Sequence, residues 1–174
     1  VSWTSSNSSV ASVSLSGVIT GVAGGFAAIT ATAAGRSATI EIAVRAPIAT
    51  PAAGATLSVT TVALGGAVVA TVPVGATAAG ATLEVGPAAA SAAPLVAELV
   101  AGSAFTFAPE GVQFAKPLSL TLKYDPAGLS AVQQAGLAMY LAQNGDWVLV
   151  PGSQVNVAAA TVTAPIQHFS TYAV

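Results

Sequence analysis

The 174-residue chain has no cysteine, which removes disulfides, thiolate metal sites and cysteine nucleophiles together. Charge is almost as scarce. Asp, Glu, Lys and Arg make up 6% of the residues, against roughly 25% in an ordinary soluble domain. The basic residues are only Arg36, Arg45, Lys116 and Lys123, and the net charge is −2. Four cations cannot neutralise a run of phosphates, so nucleic-acid binding is excluded as a main role. Aromatics also stand at 6%, and there is a single histidine, His168.

What is present is apolar but small. The hydrophobic fraction is 54%, much of it Ala and Val, with Ser, Thr and Gly supplying a polar but non-ionic remainder. No charged residue lies between Arg45 and Glu84. A membrane-spanning helix would need ~20 predominantly apolar residues with an intact backbone ladder. Pro47, Pro51 and Pro73, with Gly54, Gly65, Gly66, Gly75 and Gly80, interrupt that interval repeatedly, so a spanning helix is rejected. The chain starts at Val1 inside a strand pattern, without an initiator methionine or a basic leader. It reads as a piece, or a processed form, of a longer exported polypeptide.

Residues 1–44 alternate in short beats: Val1-Ser2-Trp3-Thr4, Val10-Ala11-Ser12-Val13, Gly17-Val18-Ile19-Thr20-Gly21, then Phe26 to Thr32 and Ala38 to Val44. Apolar residues at period 2, bounded by Gly and Ser clusters, predict half-buried strands. Gly24-Gly25 and Gly35 provide turns that β-branched neighbours disfavour. Trp3-Thr4-Ser5-Ser6, Val10 to Val13, Gly17 to Gly25 and Ile29-Thr30-Ala31 make this segment resemble the bacterial Ig-like group 2 family. The resemblance implies a β-sandwich used as a spacer or adhesive unit on bacterial surface proteins. It covers only the later half of such a domain, so a sandwich built from residues 1–44 alone would leave core and a strand edge uncovered. The expected source of the missing strands is upstream chain, with another chain as the alternative.

Residues 45–54, with Pro47 and Pro51 and no alternation, read as a short, stiff connector. Strands resume afterwards. Val68 to Ala76, Ala81 to Val85, Phe105 to Pro109 and Leu118 to Tyr124 are predicted strands. A short helix is predicted near Ser130 to Gln134. Met139-Tyr140-Leu141 and Trp147-Val148-Leu149 flank Asn144-Gly145, a hairpin signal because a type I′ turn needs positive φ at both central residues. Val155 to Val157, Thr161 to Thr163 and a final strand from His168 to Val174 complete the pattern. Val72-Pro73-Val74-Gly75-Ala76, Pro109 to Leu118 and His168-Phe169-Ser170-Thr171-Tyr172 make residues 55–174 resemble the ZU-five domain shared by netrin receptors and ankyrins. That resemblance implies a β-sandwich for protein contacts. In some members the peptide bond between Phe and Ser of His-Phe-Ser cleaves itself.

The candidate chemistry is therefore His168, Phe169 and Ser170. In an N-to-O acyl shift the Ser170 hydroxyl attacks the Phe169 carbonyl, and His168 acts as base or steers the proton. Against it stands an ordinary strand, with Phe169 inward and His168 and Ser170 on the opposite face. A hydrolase triad would need a carboxylate orienting the histidine, and Asp125 and Asp146 both fall in predicted turns. Asp125, Asp146, Asn144 and Glu110 are too scattered for a calcium ladder. No metal site and no cofactor are expected. Trp3 and Trp147 fall in strand patterns and read as core before sugar-stacking platforms. Asn7-Ser8-Ser9 is a glycosylation sequon common by chance.

Together these features predict an all-β chain of two sandwiches, 1–44 and 55–174. The expected role is a non-catalytic structural or adhesive unit outside a bacterial cell. Its expected partners are other protein subunits or surface components, and near-absent charge repulsion predicts self-association. The alternatives are an autoproteolytic unit and a carbohydrate-binding module. The latter would need exposed aromatics on one face.

Overall fold

The computed structural model describes residues 1–48, 57–60, 68–78, 81–88 and 99–174. The architecture is all-β, as the alternation predicts. Five strands come from the first 44 residues: β1 (Ser2–Ser5), β2 (Ala11–Val13), β3 (Ile19–Gly21), β4 (Gly25–Ala33) and β5 (Arg36–Val44). They form a three-stranded sheet ordered β1-β4-β5 and a separate β2-β3 hairpin. The β4–β5 turn is Ala34-Gly35, with φ of 48° and 74°.

A small core lies between these two layers. Val10, Ala11, Ala27 and Ile29 are buried, with Trp3, Val13, Ile42 and Val44 packed around them. Ser5 Oγ donates to Ala11 O at 2.6 Å and ties β1 to β2. The hairpin covers only part of the sheet. Ile29 and Ile40 are register partners on one face, yet Ile29 is 1% exposed and Ile40 57%. The inward side of β5 is left open at Ile40, while Ile42 and Val44 pack on the core, and β5 is an edge of its sheet.

The remaining strands are β6 (Ala46–Ile48), β7 (Leu57–Thr60), β8 (Val68–Val72), β9 (Leu83–Pro87), β10 (Phe105–Ala108) and β11 (Gln113–Lys123). They continue with β12 (Tyr140–Gln143), β13 (Asp146–Leu149), β14 (Gln154–Asn156), β15 (Thr161–His168) and β16 (Thr171–Ala173). A six-stranded sheet runs β13-β12-β16-β10-β9-β6, and a five-stranded sheet runs β14-β15-β11-β8-β7. One hydrophobic cluster draws on both sheets: Val68, Leu118, Leu120, Leu122, Val162 and Ile166 from the second, Leu83, Val85, Phe105, Phe107 and Tyr172 from the first. The two sheets are thus the halves of a sandwich.

The single helix among the described residues, α1 (Ala131–Ala135), starts as its sequence predicts. Ser130 Oγ accepts from Gln133 N while the Gln133 side chain accepts from Ser130 N, a reciprocal capping box. Asn144 and Gly145 both have positive φ, 53° and 87°, and join β12 to β13.

Two expectations need correction. The stretch read as a connector carries β6 at Ala46–Ile48, which pairs antiparallel with β9. Pro47 is tolerated there because β6 is an edge strand, where a missing N–H costs no ladder bond. Residues 49–54 of that stretch lie outside the described residues. The final strand is also not continuous. β15 ends at His168 in the five-stranded sheet, and β16 begins at Thr171 in the six-stranded one. Phe169 and Ser170 make the crossing.

Candidate functional site

The crossing places His168, Phe169 and Ser170 between two sheets, where period 2 no longer governs them. Phe169 and Ser170 are both buried, at 0% and 6% exposure, while His168 is half-buried. The expectation that Ser170 and His168 share a face opposite Phe169 therefore fails, because the chain turns at this point. The Phe169 ring sits 5.3 Å from that of Phe107 and 4.9 Å, edge-on, from that of Phe114. This aromatic packing anchors the bend.

Three main-chain hydrogen bonds hold the backbone of the bend. Phe169 N donates to Val112 O at 3.0 Å, Gly111 N donates to Phe169 O at 2.8 Å, and Phe107 N donates to Ser170 O at 2.9 Å. Gly111 supplies its N–H from a backbone at φ 78°, a conformation that favours glycine. His168 Nδ1 lies 3.3 Å from Phe169 O. With a proton on that nitrogen the ring becomes a second donor to the same carbonyl. Ser170 Oγ donates to Ala142 O at 3.3 Å. Tyr172 Oη donates to His168 O at 2.7 Å, and burial raises the Tyr172 phenol well above its ordinary range.

Among the described residues no carboxylate joins this group. Asp125 Oδ1 accepts from Ala127 N at 2.9 Å, as a turn former does. Asp146 opens β13 and Glu110 is exposed in the loop before β11. Among the described residues no cluster of three or more His, Asp or Glu could hold a metal ion, and no helix is long and apolar enough to cross a membrane. Asn7 Oδ1 accepts from both Ser9 N and Ser9 Oγ, so the sequon is a local turn.

The two tryptophans part company. Trp3 packs on the small N-terminal core and lies over Gly17. Trp147 is opposite Ala142, and Tyr140 stands two residues earlier on β12, so both aromatics project from the same side of the six-stranded sheet. Leu141, between them, turns the other way toward the core with its register partner Tyr172. Tyr140, Trp147 and Asp146 line one cavity of about 470 Å³ with Leu137 and Val174.

Two features escape sequence reasoning, and a third does not. The Gly111 donor comes from a loop whose pairing is long-range. Buried Ser103 clasps Val174, donating from Oγ to Val174 O at 2.9 Å and accepting from Val174 N at 3.0 Å. The shared face of Tyr140 and Trp147 was recoverable, since a two-residue Asn-Gly loop fixes the register of its strands.

No curated protein matches the chain. Residues 1–44 match the family model described as bacterial Ig-like domain (group 2), and that match points to a surface or adhesion-type bacterial unit of a generally non-catalytic family.

Proposed function

We propose that the chain is a non-catalytic structural and adhesive segment of a bacterial cell-surface protein. Its units are an incomplete Ig-like sandwich over 1–44 and a ZU-five-like sandwich over 55–174. The observation that carries this reading is the open side of the first unit. Ile40 faces inward by register but is 57% exposed, beside the nine-residue edge strand β5. An uncovered core beside a free backbone edge is a surface built for completion by further strands. Low charge supports the same reading, since little repulsion opposes assembly with other subunits or with itself.

The location is tested by protease shaving of intact cells that produce the parent polypeptide. Loss of a tag within 55–174 without lysis is expected, and protection until lysis overturns the surface reading. Assembly is tested by sedimentation of the 174-residue protein, which should associate. An Ile40→Lys variant should shift it toward monomer.

A second reading, cleavage of the Phe169–Ser170 bond, is favoured by one arrangement. The Phe169 oxygen receives Gly111 N–H and faces His168 Nδ1, which would stabilise negative charge developing on it. In that reaction Ser170 Oγ bonds to the Phe169 carbonyl carbon and loses its proton. The carbon–nitrogen bond then breaks, and the Ser170 nitrogen takes up a proton. Water hydrolyses the resulting ester to a Phe169 carboxylate and free Ser170 hydroxyl. In the resting geometry the Ser170 proton is engaged by Ala142 O, and an intact bond is the primary expectation. Intact mass of fresh protein separates the two: a fragment ending at Phe169, lost in Ser170→Ala, overturns the non-cleaving reading.

A further inference from the structure

The outer side of the six-stranded sheet carries polar groups that the fold leaves unused. Tyr140 and Trp147 are diagonal neighbours across the β12–β13 ladder, one pair removed from direct opposition, which spaces such residues roughly 7–8 Å apart. They make no ring contact with each other, so their faces are not consumed by mutual stacking. The indole Nε1 of Trp147 is buried without any acceptor. Neither the Tyr140 hydroxyl nor the Asp146 carboxylate has a hydrogen-bond or ion-pair partner among the described residues. All three residues line the same open cavity of about 470 Å³, a size typical of small-molecule sites.

The Trp147 Nε1 is closed to solvent, so only the indole face is open to a ligand, whereas Asp146 beside it is exposed. An idle phenol and an idle carboxylate beside that face call for a ligand with hydroxyls on its rim. The floor is apolar, from the two aromatic rings with Leu137 and Val174. A pyranose ring has both features: an apolar C–H face that lies on an aromatic ring, and equatorial hydroxyls that donate to a carboxylate and accept from N–H or O–H. A quaternary ammonium would also meet aromatics and a carboxylate, but it is held by rings that enclose it. Here the two rings stand side by side on one sheet face.

We propose that the cavity between Tyr140, Asp146 and Trp147 is a binding subsite for a neutral pyranose of a glycan. Tyr140 and Trp147 form the stacking shelf and Asp146 is the hydroxyl acceptor. The site does not depend on where the protein resides, so a failure of the surface reading leaves it standing, and the reverse holds too.

The chain has two tryptophans, so Trp3→Phe leaves Trp147 as the sole indole reporter. This variant is titrated with cellohexaose, xylohexaose, maltohexaose, chitohexaose and mannohexaose, and separately with choline. At least one oligosaccharide should give a saturable change in Trp147 emission. Calorimetry on the unmodified chain should show the same binding, weakened at least tenfold by Asp146→Asn and abolished by Trp147→Ala. Asp146 is exposed at the end of the hairpin loop, so its variant should keep the wild-type melting temperature. The proposal is overturned if none of the five sugars saturates, if Asp146→Asn binds as tightly as wild type, or if choline alone saturates.

Discussion

Tyr172 donates its hydroxyl to the main-chain oxygen of His168 at 2.7 Å, linking the second residue of β16 to the last residue of β15 across the sheet-to-sheet crossing. The bond spans the bend formed by Phe169 and Ser170. It also requires a protonated phenol, since a phenolate cannot donate.

That requirement sets an alkaline limit. Burial raises the folded-state pKa of Tyr172 above its unfolded value near 10. The folded state therefore holds its proton where the unfolded state has lost it, and stability falls as pH rises through and beyond about 10. Denaturant titrations at rising pH should show this decline. Tyr172→Phe should flatten it while lowering stability at neutral pH by about 1 kcal/mol for the lost hydrogen bond.

Gly17 carries φ +86°, and a Cβ there would lie 2.7 Å from Trp3 Cζ2. Gly17→Ala should destabilise the N-terminal strands by at least about 1–2 kcal/mol, the cost of the left-handed backbone alone. Because Trp3 must shift, its emission should change as well. A thermal melt followed at both tryptophan and backbone wavelengths checks this.

Ala34 takes the first position of the β4–β5 turn at φ 48°, a conformation that favours glycine or asparagine. Ala34→Gly should stabilise the chain by about 0.5–1 kcal/mol, the relieved strain less the added entropy of glycine. Ala34→Asn should act in the same direction. Paired urea titrations read the difference.

Ser103 is buried and serves both backbone groups of Val174. Ser103→Ala leaves a buried N–H without its acceptor and should cost about 1–3 kcal/mol. Hydrogen exchange at the Val174 amide should accelerate far more than at the β11 amides.

Structure is legible in the sequence where the physics is local. The Asn144-Gly145 turn, the Ser130 cap of α1 and the alternation of β4 and β11 each depend on a few adjacent residues. The crossing at Phe169–Ser170 was not legible, because an apolar run that changes sheets looks like one strand that does not. β6 is hidden for a related reason: Pro47 argues against a strand until the strand is known to be an edge. At the candidate sites, the Gly111 donor to Phe169 and the Ser103 clasp on Val174 depend on pairings between distant strands. The composition of either strand alone does not reveal them.

One residue, Arg45, separates β5 from β6, and its side chain packs where Gly86 has no Cβ, since an added methyl would come within 2.9 Å of Arg45 Cγ. The chain therefore passes from the edge strand of the first unit straight into an edge strand of the larger sandwich. The β6–β9 ladder pairs Ala46, Pro47 and Ile48 with Val85, Glu84 and Leu83. The seam between the two units is thus held by a shorter ladder than the four-pair one that β9 shares with β10.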